Sequence, residues 1–303
     1  MKVLIAGGAG LLGNRLSEYL TKGGYSVVHL SRNPQPDSKY PTFHWDVEKK
    51  IIDTSAFNDV DFVINLAGEG IANKKWTKAQ KEKIISSRVE SNQLLKATFI
   101  ENNFLPKKYI SAAAIGYYGN SDMIEFDENS KPASSGFLPE CCQIWENAIQ
   151  EIQSIGVPTA WIRIGIVLST QGGALQKMLQ TAKFGLNTYF GNGKQTSSWI
   201  HIDDLCKIFL HLLENEKAVG VYNGSSPAPV SNYQMSKVIA NEISPISFVL
   251  PLPAFLIKII FGEMSALLLD STKVFPKKLI SESFIFEYTA LEKAIRDLWK
   301  RKI

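Results

Sequence analysis

The chain begins with a hydrophobic run that passes directly into a glycine-rich turn. Residues 3–6 are apolar, glycines follow at positions 7, 8, 10 and 13, and apolar residues then recur at helical spacing from Leu12 to Leu20. A short apolar run, a cluster of glycines and an amphipathic stretch predict a strand, a tight turn and a helix in that order. This order is the one in which such a turn binds the phosphates of a dinucleotide.

Each glycine of the spaced triplet has a separate role in this prediction. Gly7 allows the chain to reverse, Gly10 leaves room for the backbone to approach a pyrophosphate, and Gly13 lets the helix pack close to the strand. The first N–H groups of the helix, at Leu11, Leu12 and Gly13, have no partner within the helix and lie at the positive end of its dipole. We therefore expect these five residues to bind the cofactor.

Strand patterns alternate with helix patterns as far as about residue 164. The predicted strands cover residues 3–6, 26–30, 43–45, 61–66, 108–112 and 158–164, and the predicted helices cover residues 12–20, 77–102 and 139–155. This alternation predicts an α/β fold with a Rossmann-type, doubly wound parallel sheet. We expect a nucleotide-binding domain over residues 1–170. Residues 171–303 should form a smaller C-terminal α+β substrate lobe, some of whose elements return to the main sheet.

The residues that follow the second and third strands bear on the choice of cofactor. An acidic residue about twenty positions beyond the glycines selects NAD, whereas an arginine attracts the 2′-phosphate of NADP. Ser31 and Arg32 occupy this position and no acid is present, so the sequence favours NADP. Asp46, after the third strand, either accepts a hydrogen bond from the adenine amino group or forms a turn.

The fourth strand ends in small residues. Leu66, Ala67 and Gly68 follow it and would leave room for the ribose and pyrophosphate of the cofactor. Doubly wound sheets bind ligands at the carboxyl ends of their strands, which is where these residues are predicted to lie.

Composition and charge exclude several other classes of protein. The net charge of +4 is small and the basic residues are scattered, which argues against a nucleic-acid surface. The three cysteines and four histidines have no metal-ligand spacing, and three cysteines suit a reducing cytoplasm better than a disulfide framework. No secretory signal is visible. The apolar stretch from Phe248 to Phe261 is too short to span a bilayer and is expected to be a buried or interfacial helix.

Several blocks of sequence resemble the extended short-chain dehydrogenases/reductases of the epimerase/dehydratase type, and in particular their atypical, nucleoside-diphosphate-sugar epimerase-like subgroup. The resemblance covers nearly the whole chain. The blocks that carry it are Gly7-x-x-Gly10-x-x-Gly13, residues 65–68, Lys75-Trp76-Thr77, Ser87-Arg88-Val89, residues 116–119, Trp145-Glu146, residues 199–205 and the C-terminal stretch from Pro251 to Phe286.

The resemblance also identifies what this chain lacks. Ordinary members of the superfamily are expected to use a serine or threonine after the fifth strand and a Tyr-x-x-x-Lys pair on the next helix, whose lysine lowers the tyrosine pKa. Here residues 137–146 contain neither tyrosine nor lysine, and Cys141 and Trp145 fall about where the pair should be. The serine position falls at Ala113 or Ala114. The subgroup itself lacks the usual pair.

Three residues are candidates to replace the missing groups. Tyr117 and Tyr118 follow the fifth strand and would need a cationic neighbour, Arg163 or Arg88, to act as a base near neutral pH. Glu69 could act as a general acid or base if a closed pocket raised its pKa. A purely structural role is the alternative for each, as it is for Cys141, whose thiol is a further candidate.

Other polar residues also have two interpretations. His201, followed by Asp203 and Asp204, could form a charge-relay pair, or one of the two aspartates could cap the next helix. Arg163 and Lys194 are the cations expected near an anionic ligand, so Arg163 is included among the predicted cofactor-binding residues.

The sequence thus predicts an NADP-binding, epimerase/dehydratase-like oxidoreductase. Its substrate would be a small or nucleotide-linked hydroxyl or carbonyl compound, and a nonstandard group would transfer the proton. The alternative is a non-catalytic, NADP-dependent sensor or protein-interaction scaffold. The leucine-rich stretch from Leu250 to Trp299 either packs the second lobe or forms a homodimer interface.

Overall fold

A computed structural model describes residues 1–35, 37–244 and 246–301, and its largest feature is a mostly parallel sheet. The strands of the described chain are β1 (Lys2–Ala6), β2 (Ser26–Ser31), β3 (Thr42–Asp46), β4 (Ile51–Ile52), β5 (Phe62–Asn65), β6 (Lys108–Ala114), β7 (Ser121–Phe126), β8 (Thr159–Ile164), β9 (Ile166–Leu168), β10 (Leu186–Phe190), β11 (Thr196–Ser197), β12 (Trp199–His201), β13 (Gly220–Gly224), β14 (Val230–Ser231), β15 (Phe248–Leu252) and β16 (Thr272–Val274).

Helices cover both faces of this sheet. The α-helices of the described chain are α1 (Leu11–Lys22), α2 (Lys78–Glu101), α3 (Phe137–Gln153), α4 (Gly173–Ala182), α5 (Ile202–Glu214), α6 (Asn232–Ile243), α7 (Ala254–Phe261), α8 (Ala266–Leu269), α9 (Lys277–Ser281) and α10 (Leu291–Lys300). Within the described ranges, no helix is long and apolar enough to cross a membrane.

The main sheet of the described chain has eight strands in the order β13-β8-β6-β5-β1-β2-β3-β4. All neighbouring pairs are parallel except β3 and β4, which are antiparallel. The carboxyl ends of β1, β2, β5, β6 and β8 therefore meet at one edge. The α/β, Rossmann-type fold predicted from the sequence is confirmed.

Hydrophobic cores lie on both sides of the sheet because its central strands are apolar on both faces. Val3 and Ile5 of β1 point into one core, which α1 and α5 complete, whereas Leu4 and Ala6 point into the other, which α2 and α3 complete. All four side chains are fully buried. This packing fixes β1, and with it the glycine turn at its end.

The C-terminal part of the chain contributes to the main sheet and also forms smaller sheets. Strand β13 pairs with β8 in parallel, so residues 220–224 lie in the main sheet. Strand β16 pairs with β7 and β11, which connects the C-terminal segment to the residues after β6. The division of the chain at residue 170 into two domains stays a prediction.

One prediction in this region is wrong. Residues 248–261 do not form a single helix, buried or interfacial: they form strand β15, which pairs with β10, and then α7. Pro251 and Pro253 explain the change, because a proline inside a helix removes a hydrogen bond and clashes with the preceding turn. Of the α7 side chains only Ile257 is buried, and Phe255 and Ile259 are largely exposed.

Candidate functional site

The glycine turn after β1 has the geometry of an anion-binding loop. Gly7 has a φ of +78°, and the N–H of Gly10 donates to the Gly7 carbonyl oxygen over 3.1 Å. Helix α1 starts at Leu11 with no side-chain cap and no acidic residue in its first turn. Its first N–H groups, which include those of Leu11, Leu12 and Gly13, thus have no acceptor among the described residues and can bind an anion.

Two glycines of the turn are required by packing. A Cβ at Gly13 would lie 2.5 Å from the Gly8 carbonyl oxygen, which shows why the helix can pack so closely on the turn. A Cβ at Gly8 would lie 2.3 Å from the His29 ring. This role of Gly8 could not be predicted from the sequence, because His29 lies in a different strand and no local pattern connects the two.

The buried imidazole of His29 packs against the glycine turn and lies within hydrogen-bond distance of Ser17 in α1. The hydroxyl of Ser17 donates to the Gly13 carbonyl oxygen and lies 2.7 Å from Nε2 of His29, so that nitrogen donates to Ser17. Burial lowers the pKa of His29 to about 4. The ring is thus neutral near pH 7, and this uncharged hydrogen bond connects β2 to α1.

A small cavity of about 120 Å³ opens beside this histidine, where the sequence predicts the 2′-phosphate to bind. Ser31, Asn33 and Lys39 are among the residues that line it. Lys39 lies 3.6 Å from a carboxylate oxygen of Glu18 and was not selected from the sequence, because it lies in an irregular loop. Arg32 lies next to the lining residues and is exposed, and it forms no ion pair within the described chain.

Asp46, at the end of β3, serves its own turn. Its carboxylate accepts from the backbone N–H of Lys49 over 3.1 Å and lies 3.3 Å from the ammonium group of the same residue. The backbone hydrogen bond is the main cause that lowers the pKa of Asp46. These contacts match the turn-forming alternative, while the adenine contact stays a prediction.

The end of β5 lies directly against the glycine turn. A Cβ at Gly7 would lie 3.0 Å from the carbonyl carbon of Leu66, so the two loops touch through their backbones. The N–H of Ala67 donates to the side-chain oxygen of Asn65, whose amide in turn donates to Ser91 of α2. These bonds fix Leu66, Ala67 and the exposed Gly68 at the carboxyl edge of the sheet, where the sequence predicts the ligand to bind.

Glu69 is half-buried and held through both its backbone and its side chain. Its N–H donates to the hydroxyl of Ser87 over 2.9 Å, and its carbonyl oxygen accepts from Nη1 of Arg88 over 3.1 Å. The carboxylate accepts from the Gln80 amide over 3.5 Å. The structure thus places this candidate acid–base group beside α2, next to the loop that follows β5.

A buried polar network lies at the ends of β6 and β8. Arg163 donates from Nε and Nη2 to the two carboxylate oxygens of Glu146, at 2.7 and 2.8 Å, and from Nη1 to the hydroxyl of Tyr118. That hydroxyl donates to the side-chain oxygen of Asn223. The three nitrogens of the predicted cofactor-binding Arg163 thus have partners within the protein.

The two tyrosines of this segment are in different situations. Tyr118 is 2% exposed, and burial raises its pKa to about 12 despite the opposing effect of Arg163. Its hydroxyl is thus a poor base near neutral pH. Tyr117 is only half-buried, and the guanidinium carbon of Arg163 lies 3.4 Å from its ring centroid. Tyr117 is therefore the better candidate for contact with a substrate.

Helix α3 presents thiols and an indole to the site. Cys141 and Cys142 are buried, and burial raises the pKa of both thiols, so they stay protonated. The ring of Trp145 faces Arg88, whose guanidinium carbon lies 4.9 Å from the ring centroid. From the sequence, Arg88 was expected only as a cationic neighbour for a tyrosine, although its guanidinium lies beside α3 and Gly68.

The predicted cap of α5 is corrected by the structure. His201, rather than Asp203 or Asp204, is the N-cap: its Nδ1 accepts from the N–H of Asp203 over 3.1 Å. Asp203 instead pairs with Arg15 and Arg301, while Asp204 accepts from the backbone N–H groups of residues 287 and 288. Both aspartates are thus used to attach neighbouring segments.

Lys194 lies in a turn of the C-terminal part. Its backbone N–H donates to the side-chain oxygen of Asn192, and the residue is exposed. Its ammonium group forms no ion pair with any residue in the described ranges.

Two family models match the chain. Residues 3–224 match the NAD dependent epimerase/dehydratase family, and residues 252–298 match a domain of unknown function, DUF1731. The first match includes the main sheet and every predicted cofactor-binding residue. The second includes α7, α8, α9 and most of α10.

Individual relatives agree with these matches. The chain is 33% identical over 299 residues to the epimerase family protein YfhF of Bacillus subtilis, with 98% of each chain covered. A crystal structure of the human epimerase family protein SDR39U1 with NADPH is 28% identical, with a TM-score of 0.89 and 99% of each chain covered.

A third relative is longer than this chain. It is the nucleoside-diphosphate sugar epimerase from Corynebacterium glutamicum, which is 30% identical and has a TM-score of 0.79. The match covers 98% of this chain and 58% of that protein.

Proposed function

Because the chain belongs to the NAD dependent epimerase/dehydratase family, we propose that it binds NADP and acts as an epimerase-like oxidoreductase. Its substrate is a small or nucleotide-linked compound with a hydroxyl or carbonyl group. The observation that carries the proposal is the uncapped start of α1 against the glycine turn. Free N–H groups there suit the pyrophosphate, and the space beside Gly10 is open, since a Cβ there would have only the Gly7 carbonyl oxygen within 4 Å.

The preference for NADP over NAD rests on the region after β2. Arg32 is exposed and unpaired within the described residues, and Lys39 lines the adjacent cavity, 3.6 Å from Glu18. Two cations in this region suit a 2′-phosphate. The NADPH found in the structure of human SDR39U1 supports the same choice.

The bound cofactor would supply or accept a hydride. Tyr117 and Glu69 are the residues of this chain that we propose for the proton, since both are partly accessible beside the ends of β5 and β6. Arg163, which lies over the ring of Tyr117 and donates to the hydroxyl of Tyr118, would hold Tyr117 in place. A cytoplasmic location and a homodimer stay predictions.

Calorimetric titration with NADPH and NADH tests the cofactor. We expect NADPH to bind at least about tenfold more tightly, and Arg32→Ala and Lys39→Ala each to reduce that preference. Lys22→Ala is the matched control, because it removes an exposed charge at the opposite end of α1. Equal affinity of the unaltered protein for both cofactors would contradict the choice of NADP.

A second candidate is a non-catalytic NADP-dependent sensor or scaffold. The specific observation in its favour is that α3 has neither tyrosine nor lysine over Phe137–Gln153, while the hydroxyl of Tyr118 is locked in a buried network. NADPH oxidation across a panel of carbonyl compounds and nucleotide sugars separates the two functions. Turnover that is lost in Tyr117→Phe or Glu69→Gln would exclude the scaffold.

A further inference from the structure

Arg88 of α2 is held firmly but has no ionic partner within the described residues. Its Nη1 donates to the carbonyl oxygens of Glu69 and Ile84, at 3.1 and 2.9 Å, and its guanidinium lies over the ring of Trp145. These contacts fix one end of the group and one of its faces. Nε and Nη2 have no hydrogen-bond acceptor in the described part of the chain.

The positive charge of Arg88 therefore has no ion-pair partner in the described residues, although the charge of Glu69 acts on it from a longer distance and favours the charged form. In residues 1–35, 37–244 and 246–301 no carboxylate lies within ion-pair distance of it, because the Glu69 carboxylate turns to Gln80. Its sulfur neighbours are neutral, since burial raises the pKa of Cys141 and of Cys142. Burial also lowers the pKa of Arg88 itself, but a guanidinium stays protonated near pH 7.

Two other arginines in the fold show the contrast. Arg163 is paired with Glu146, and Arg15 is paired with Asp203 through two nitrogens. Arg88 is partly desolvated and has no such partner, which is costly, so its retention beside a loop points to a ligand.

The free edge of Arg88 also has a defined shape. Nε–H and one Nη2–H point in parallel from a planar group, and this edge matches the two oxygens of a carboxylate. Gly68 lies directly above: a Cβ there would come within 3.3 Å of the guanidinium carbon. Gly68 is exposed and follows β5, so the guanidinium lies under the ligand-binding edge of the sheet.

We propose that Arg88 is a substrate-binding residue that receives a carboxylate of the substrate through its Nε–Nη2 edge. The substrate is thereby a carboxylate-bearing member of the hydroxyl or carbonyl compounds proposed above, and in this respect the inference rests on the proposed function. Trp145 and the carbonyl oxygens of Glu69 and Ile84 orient the guanidinium before the ligand arrives.

Calorimetry with oxalate as the carboxylate probe tests this assignment. Oxalate is titrated into the protein saturated with NADP⁺, and separately into the protein alone. We expect binding to the unaltered protein, a loss of at least about tenfold in Arg88→Gln, and a smaller loss in Arg88→Lys, which keeps the charge without the planar edge. Lys83→Gln is the matched control, because it neutralises an exposed cation on the same helix.

These titrations show whether Arg88 binds a substrate carboxylate or a phosphate. NADPH affinity should stay within about twofold in Arg88→Gln. A loss of NADPH affinity with unchanged oxalate binding would assign Arg88 to a cofactor phosphate and overturn the proposal. Tighter binding of inorganic phosphate than of oxalate, or no oxalate binding to the unaltered protein, would overturn it as well.

Two further results keep the test of Arg88 independent of the proposed function and of the folding of the Arg88→Gln variant. Absence of NADPH binding to the unaltered protein would remove the proposed function, while the oxalate titration of the protein alone would still report on Arg88. Thermal unfolding shows whether Arg88→Gln folds without its two carbonyl contacts. If it does not fold, oxalate binding to Arg88→Lys as tight as to the unaltered protein refutes the need for the planar edge.

Discussion

Arg163 lies over Tyr117, with its guanidinium carbon 3.4 Å from the ring centroid, while it donates to the hydroxyl of Tyr118. One side chain thus supports two adjacent tyrosines in different ways. The ring of Tyr117 needs no polar atom for this contact, whereas the hydroxyl of Tyr118 is an essential member of the network.

Tyr118→Phe should therefore act mainly on stability, and Tyr117→Phe mainly on turnover. Loss of the Tyr118 hydroxyl leaves Nη1 of Arg163 and the side-chain oxygen of Asn223 without this buried partner, so we expect the free energy of unfolding to fall by about 1–3 kcal/mol. Tyr117→Phe keeps the ring contact and should cost less than about 0.5 kcal/mol while it reduces turnover. Urea denaturation and NADPH oxidation measure the two effects, and equal destabilisation by both changes would contradict this account.

The ion pair between Arg163 and Glu146 predicts that removal of one charge destabilises the protein more than removal of both. Both side chains are almost fully buried, so Glu146→Gln leaves an uncompensated charge and should lower the free energy of unfolding by about 3 kcal/mol. The double change Glu146→Leu and Arg163→Met removes both charges and should cost less than the single change. Denaturation curves of the unaltered protein and of these two variants form the test. A double variant less stable than Glu146→Gln would show that the pair stabilises the fold in its own right.

Local patterns in the sequence were sufficient for much of this fold. The strand, turn and helix at the N-terminus and the long helix α2 follow from hydrophobic spacing. Thr77 caps α2 through an equally local contact, because its hydroxyl accepts from the N–H of Gln80 within one helical turn. These features depend on residues that are close in sequence.

What the sequence did not reveal depends on contacts between distant segments. Arg88 meets Trp145 across two helices, and Gly8 meets the ring of His29 from another strand. The apolar residues 248–252 pair with β10 as a strand because that partner is available only in the folded chain. The spacing of residues along one element carries no information about such partners.

Histidine protonation predicts a loss of stability in acid. Burial lowers the pKa of His29 from its ordinary value of 6.5 to about 4, so the unfolded chain takes up the proton first as the pH falls. The contribution of neutral His29 to the free energy of unfolding is thus fully present above about pH 6.5. It is lost as the pH falls from there to about 4, and about 2 kcal/mol of it is lost by pH 5. Denaturation at pH values of about 7.5 and 5 should show a smaller pH effect in His29→Gln, which retains a donor toward Ser17. An unchanged pH effect in that variant would contradict the assignment.

The glycine turn allows packing and ligand binding to be tested separately. Gly10 has ordinary extended backbone angles, and an added Cβ would meet only the Gly7 carbonyl oxygen, at 3.2 Å. Gly10→Ala should therefore change the free energy of unfolding by less than about 1 kcal/mol. The added methyl group would still obstruct the approach of a pyrophosphate, so NADPH affinity should fall at least about tenfold.

Gly13→Ala is the matched change for packing, because its Cβ would lie 2.5 Å from the Gly8 carbonyl oxygen and force α1 away from the turn. We expect it to lower the free energy of unfolding by about 1–3 kcal/mol as well as to weaken NADPH binding. Urea denaturation and calorimetry on both variants complete the test. Tight NADPH binding by a well-folded Gly10→Ala variant would show that the cofactor does not approach the backbone at this glycine.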